Sequence, residues 1–358
     1  MMETTLQQKL YNLRAALHVC PEVSGQEVKT KAMLMKFLRE NTTMELIECG
    51  DGFYAAHRET GADKGGILLR ADYDAVALPD GSAAHLCGHD GHAAVLCGVA
   101  LKLEGNTLGR NVFLLFQPAE ETGAGAKKCA EIFQREVIYE VYGAHNLPGV
   151  SLGTVVTRPG TFACASNGLI IDFKGAPAHA AYPENGISPA KATGQLLCEL
   201  EELAAPGHYA GMVLCTVIGV SMGEKAFGMA AAQAQIWLTV RGEHDEDIFL
   251  LNKKICDRAE ELAKENKLEF SVARQDVFPA TENEAQCAEK VLDVCRGTRM
   301  KEPMRWSEDF GYYLRHCKGA FFGIGAGEDH APLHTSGYEY PDKLLLPALE
   351  AFWKLIIA

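Results

Sequence analysis

Cys87 and His89 place a sulfur and an imidazole two residues apart, and Gly88 between them lets the backbone bend until both face one point. Such a pair suits a divalent cation, although a buried thiol beside a helix-capping turn has the same sequence. Glu120 and Glu121 directly follow the apolar run Asn111 to Gln117. In an extended chain neighbouring side chains point opposite ways, so one carboxylate can bind metal while the other faces a cavity. An acidic helix start is the structural alternative. His145 ends another apolar run, and His334 sits in a Pro-Leu-His-Thr loop. Each signal is weak alone. Together Cys87, His89, Glu121, His145 and His334 supply enough donors, with sharing, for two divalent ions bridged by water.

The elements that must position these residues follow from hydrophobic periodicity. Leucines at 6, 10, 13 and 17 predict one helix and residues 27–39 a second. Short apolar runs then alternate with helical ones: strands at 66–70, 111–117 and 137–144, helices at 92–103 and 124–133. That alternation predicts an α/β fold, a largely parallel mixed sheet flanked by helices. From Ser166 the order becomes β-α-β-β-α-β, with strands at 168–173, 212–220, 232–241 and 268–275 around helices at 188–203 and 245–265, which predicts a ferredoxin-like unit. A helix at 283–296, a strand at 320–324 and a helix at 344–357 then complete the first domain. The expected organisation is a discontinuous metal-binding domain, 1–164 and 275–358, with an insertion at 165–274. In open parallel sheets ligands collect beyond the carboxyl ends of the strands. Asp72, Asp74, Glu120, Glu121 and His145 all fall there.

Length and composition agree with this. The 358 residues correspond to two domains at about 150 each. Thirty-four basic against 47 acidic side chains leave −13, which repels phosphate backbones and anionic membranes and speaks against a nucleic-acid partner. No apolar stretch approaches the roughly 20 residues of a membrane span. The twelve cysteines lack CxxC spacing and, Cys87 apart, read as small buried hydrophobes in a reducing cytoplasm. Gly123-Ala124-Gly125-Ala126-Lys127 lacks the spacing and the hydroxyl of a phosphate loop.

Eight segments in order over nearly the whole chain carry a family resemblance: Leu17-His18 to Pro21-Glu22, Leu69 to Ala75, His85 to His92, Phe116 to Glu121, Gly143 to Asn146, Ala178 to Ala181, Ser307 to Phe310 and Pro332 to Thr335. They resemble metallo-amidohydrolases of the aminoacylase and carboxypeptidase superfamily, in the branch of hippurate hydrolases and indole-acetyl-amino-acid hydrolases. The resemblance implies a dinuclear centre on Cys87, His89, Glu121, His145 and His334. Zinc is favoured, with manganese, cobalt or nickel as alternatives. It implies that Glu120 is the general base, and Asp74 is expected to orient ligands. Related branches carry a ligand His where this chain has Asp72. The substrate implied is a small N-acyl amino acid or similar conjugate. Its amide is attacked by water acidified from a pKa of 15.7 to about 7, and Glu120 carries the proton to the leaving amine.

The resemblance further implies that the inserted domain is a lid and dimerisation domain. His179 there would donate to the oxyanion, often in the neighbouring subunit, and Arg241 would bind a substrate carboxylate. The family's Asn-Val-Ile-Pro is Gly228-Met229-Ala230-Ala231 here. Gly228 has no side-chain amide, which leaves open a non-catalytic metal- or ligand-binding protein; a dipeptidase or exopeptidase on the same fold is a separate alternative.

Overall fold

Strands whose residues are apolar without alternation must be buried on both faces. Lys64–Asp72, Arg110–Gln117 and Lys318–Gly327 are of this kind, buried over nearly their whole length. The computed structural model describes residues 2–62 and 64–358, with side chains from Thr5 onward. Its main elements begin with α1 Met2–His18, α2 Val28–Asn41, β1 Glu45–Cys49, β2 Gly52–His57, β3 Lys64–Asp72, α3 His89–Leu103, β4 Arg110–Gln117, β5 Ile138–Pro148 and β6 Val155–Thr157. There follow β7 Ala165–Lys174, α4 Ala190–Leu203, β8 Val213–Met222, β9 Gln233–Gly242, α5 Asp245–Glu265 and β10 Glu269–Phe278. The chain closes with α6 Ala285–Cys295, β11 Thr298–Arg299, β12 Lys318–Gly327 and α7 Leu345–Ile357.

Two units divide these elements. The first comprises Met1–Phe162, Thr281–Pro303 and Glu308–Ala358. Its sheet runs β1-β2-β4-β3-β5-β12-β6-β11, and the central four strands are mutually parallel. The mostly parallel, helix-flanked sheet is the one predicted. α3 is buried almost all round, which fits its nearly uninterrupted apolar sequence. Gly91 on it is obligatory, because a β-carbon there would fall 2.3 Å from the Tyr340 ring.

The second unit comprises Ala163–Ala280 with Met304–Ser307. Its four strands pair antiparallel in the order β8-β9-β7-β10, and Leu196, Leu200, Leu251, Ile255 and Leu262 of α4 and α5 contribute to its core.

Two local expectations change. The helix predicted over 124–133 is two short ones, Gly125–Cys129 and Ile132–Arg135. At the junction Glu131, Phe133 and Gln134 donate to carbonyls only three residues back, so the α-helical ladder is interrupted. The antiparallel hairpin β1–β2 has no counterpart in the predicted elements.

Candidate metal centre

Gly88 starts α3 from the left-handed region at φ +101°, where a β-carbon would lie 2.3 Å from Asn146 Oδ1. The turn it makes brings Cys87 Sγ and a His89 ring nitrogen together with His145, all three donor atoms within 4.8 Å of one another. The sheet supplies the rest. His145 lies in β5, and Glu120 and Glu121 follow β4. His334 is set by its own left-handed backbone, φ +60°, and by its N–H donating to Leu86 O.

The donor atoms form a continuous path. His145 Nε2 is 3.3 Å from Cys87 Sγ, Cys87 Sγ is 3.3 Å from His334 Nε2, and His334 Nε2 is 3.4 Å from Glu121 Oε1. Glu121 Oε1 is in turn 3.8 Å from His89 Nε2. Ligands about 2.0–2.3 Å from a tetrahedral ion stand about 3.3–3.7 Å from each other, so these spacings suit shared cations. His89 Nε2 and Glu121 Oε1 are buried without a hydrogen-bond partner, a state that costs about 1–3 kcal/mol per group unless something is bound. The far ring nitrogens are secured. His89 Nδ1 contacts Asp74 Oδ1 at 3.0 Å, and His145 Nδ1 contacts Asn146 O at 2.8 Å. Asp74 also accepts from Ser24 Oγ and from the Glu121 N–H. The donor set therefore fits divalent metal, with its orienting partners in place.

Glu120 and Glu121 differ from expectation. They occupy a turn, not extended chain: Ala119 has φ +52°, and the Gly123 N–H donates to Glu120 O. Both carboxylates consequently approach His89 Nε2, at 4.0 and 3.8 Å. Glu120 is buried, and that burial, with Glu308 and Glu121 nearby, lifts its carboxyl well above the usual range. Burial opposes a charge on His89, but Asp72 and Cys87 outweigh it and hold its pKa well above normal. Burial, reinforced by His92 and His89, drives His145 well below normal, so it is neutral and able to ligate.

Five further residues belong to this neighbourhood, Asp72, His92, Arg70, Glu308 and Asp309, and none was assigned a role from sequence. Asp72 Oδ1 meets His92 Nδ1 at 2.6 Å, and Asp72 Oδ2 accepts from Arg70 Nη1 at 2.7 Å. Arg70, fully buried, also bridges Asp309 Oδ1 at 2.8 Å and Glu308 Oε1 at 3.0 Å. Carboxylate oxygens of Glu120, Glu308 and Asp309 lie within 4.8 Å of one another. Against the pull of Arg70, burial of Glu308 next to Asp72 and Asp309 pushes its pKa from the usual 4.5 up to about 8. The folded, metal-free chain then holds a proton that the unfolded chain has released. Glu308 thus contributes stability that is full below about pH 4.5 and lost as pH rises through about 8. The urea midpoint of metal-free protein is expected to fall over that window. Glu308→Gln should flatten the fall, and an unchanged slope would contradict this assignment.

His179 and Arg241 lie in the second unit. His179 is exposed on a two-residue strand paired with Met229–Ala230, and its Nδ1 accepts the Ala181 N–H at 3.1 Å. Arg241, at the end of β9, donates to Ser307 Oγ and to Arg305 O. Gly228 O accepts the Ala180 N–H, and a β-carbon on Gly228 would meet nothing within 4 Å, so packing does not impose the glycine. A 720 Å³ cleft in the same unit, beside Asp172, Gln235 and Trp237, touches none of the candidate residues. Among the described residues no helix is long and apolar enough to cross a membrane.

Comparison with known proteins adds context to this geometry. A model of "Peptidase family M20/M25/M40" matches residues 68–358. The N-acetyl-L-cysteine deacetylase of Bacillus subtilis (strain 168) is 30% identical over 345 residues, covering 91% of this chain and 82% of that protein. The hippurate hydrolase of Campylobacter jejuni is 28% identical over 374 residues, covering 98% and 97%. Among solved structures, a Bacillus subtilis protein described as a dinuclear metal binding peptidase from the M20 family superposes with a TM-score of 0.81 at 26% identity, covering 99% and 98% of the two chains.

Proposed function

The chain belongs to peptidase family M20/M25/M40 and is a metal-dependent amidohydrolase, and we propose that it cleaves an N-acyl amino acid or a similar small conjugate with Glu120 as general base. Two divalent ions would be held by Cys87, His89, Glu121, His145 and His334. The observation that carries this reading is the unbroken donor path with two buried, unpartnered atoms in it. The activities these relatives are named for, deacetylation of an N-acetyl amino acid and hydrolysis of hippurate, support the substrate class.

When bound, the ions polarise the amide carbonyl and acidify water to a pKa of about 7. Glu120, which is not in the donor path, takes the proton and passes it to the leaving amine. Asp74 holds the tautomer and the direction of His89 through Nδ1. Because a backbone N–H already donates to His179 Nδ1, the neutral ring carries its proton on Nε2 and can donate to an oxyanion. One such donor is worth about 2.7–4 kcal/mol in the transition state. Arg241, steadied on Ser307 and Arg305, would receive the substrate carboxylate. One thiolate and three imidazoles favour zinc over manganese, and a free thiolate ligand suits the cytoplasm.

A homodimer through the second unit completes the reading. β8 is an edge strand of its sheet, and Val217, Ile218, Val220 and Met222 on it are exposed, a combination that pairing with a second copy would cover.

A panel of N-acyl amino acids assayed with zinc, manganese or cobalt, alongside elemental analysis, tests the proposal. Two metal equivalents per chain and turnover of at least one amide are expected. Full occupancy without any turnover would favour the non-catalytic reading, and a requirement for a free α-amine would identify an exopeptidase.

A further inference from the structure

His18 and His85 take no part in the chemistry above, yet they face one cleft of 340 Å³ in the first unit. The cleft is walled by the segment leading into Cys87 and by residues 336–339 beyond His334. His85 is 2% exposed, and neither of its ring nitrogens has a hydrogen-bond partner. That double deficit is unusual for a buried imidazole, which normally finds at least one partner. His18 is the opposite case. Its Nδ1 is engaged by the buried carboxylate of Asp90 at 2.8 Å, which leaves Nε2 as its remaining ring donor.

A carboxylate on one nitrogen with the other left free is the arrangement that presents histidine to a metal. The two ring centroids are 6.1 Å apart and inclined by 27°. With metal–nitrogen bonds near 2.0 Å, rings sharing an ion have centroids up to about 6.3 Å apart when their nitrogens are opposed, so one cation can span them with the two imidazoles nearly opposite each other and water completing its shell. The surrounding charge favours a cation. Arg14 is the one basic group of this cluster, and it is opposed by Asp90 at 3.5 Å, Glu339 at 3.0 Å and Asp342 at 2.8 Å. An anion would enter against that excess of carboxylate.

We propose that His18 and His85 form an accessory site for one divalent transition-metal ion of the borderline class that imidazole prefers, separate from the centre at Cys87. With two protein ligands and the rest of its shell from water, this site fills only after the centre has filled.

Equilibrium dialysis of the full chain against a rising series of free zinc, with metal counted by elemental analysis, tests this directly. Wild type is expected to take up one equivalent more than His18→Ala or His85→Gln, with the extra equivalent bound at least tenfold more weakly in each variant. A cobalt titration gives a second readout that does not depend on variant stability, since the last equivalent bound by wild type should add a separate visible band from imidazole-ligated cobalt. Equal uptake by wild type and both variants, or no added band, overturns the proposal. The difference between wild type and variants reads this site whatever the centre holds, so its failure and that of the dinuclear reading are distinguishable.

Discussion

Glu120→Gln is expected to lower kcat on the best N-acyl substrate by about a thousandfold, within the range of 10²–10⁴ typical for loss of a general base, while the protein keeps its full metal content. The amide matches the carboxylate in shape but cannot accept a proton. Two carboxylates next to His89 Nε2 are not required by the donor path from His145 to His89, Asp72 at 3.8 Å and Glu120 at 4.0 Å, and Asp72 is already engaged by Arg70 and His92, which leaves Glu120. The substitution puts a neutral amide among three crowded, buried carboxyl groups, so folding should be unharmed or slightly improved. Steady-state kinetics with elemental analysis on the same preparation separates the outcomes. Turnover within tenfold of wild type would exclude Glu120 as the base. Loss of metal would instead make it a ligand and return the base to one of its neighbours.

The candidate donors that the fold brings together were legible because their signals are local. A sulfur and an imidazole flanking Gly88 need only one turn to converge, and the continuous apolar runs of β3 and β4 can only be buried strands. Signals that depend on distant chain or exact backbone conformation were not legible. Asp309 is 239 residues from Arg70, and no periodicity connects them. The opposed directions expected for Glu120 and Glu121 required an extended chain, but Pro118 and the left-handed Ala119 end the strand first. The β1–β2 hairpin did leave a trace, a Gly50-Asp51 pair between its strands with Gly50 at φ +55°. Such a pair is a recognised two-residue turn. Charged residues at 45 and 48 interrupted the apolar alternation that would have exposed the strand.

Arg70→Met should be the most damaging single change to the folded chain. In β3 the guanidinium is enclosed, with Asp72, Glu308 and Asp309 each at 3.0 Å or less and Gln117 Oε1 at 2.7 Å from Nε. One positive charge cannot neutralise three acids, and the cluster relieves the excess by keeping a proton on Glu308, whose pKa is about 8. Removing the arginine leaves Asp309 buried without a counter-charge and Asp72 with only His89 and His92 opposite it, a loss that in buried pairs costs about 3–5 kcal/mol. At about 2–4 °C per kcal/mol the melting temperature should fall by roughly 6–20 °C. The damage should also reach the centre, because Asp72 anchors His92, and His92 Nε2 meets Asn146 Oδ1 beside His145. Adding Glu308→Gln and Asp309→Asn to Arg70→Met should recover part of the stability, since Asp72, which still faces His92, is then the one acid of the three left to carry a charge. Recovery by the triple variant identifies unpaired charge as the cause. A loss of equal size with no recovery would mean that the arginine acts through packing, and a melting temperature within a degree of wild type would mean that this cluster does not support the sheet on which the metal centre is built.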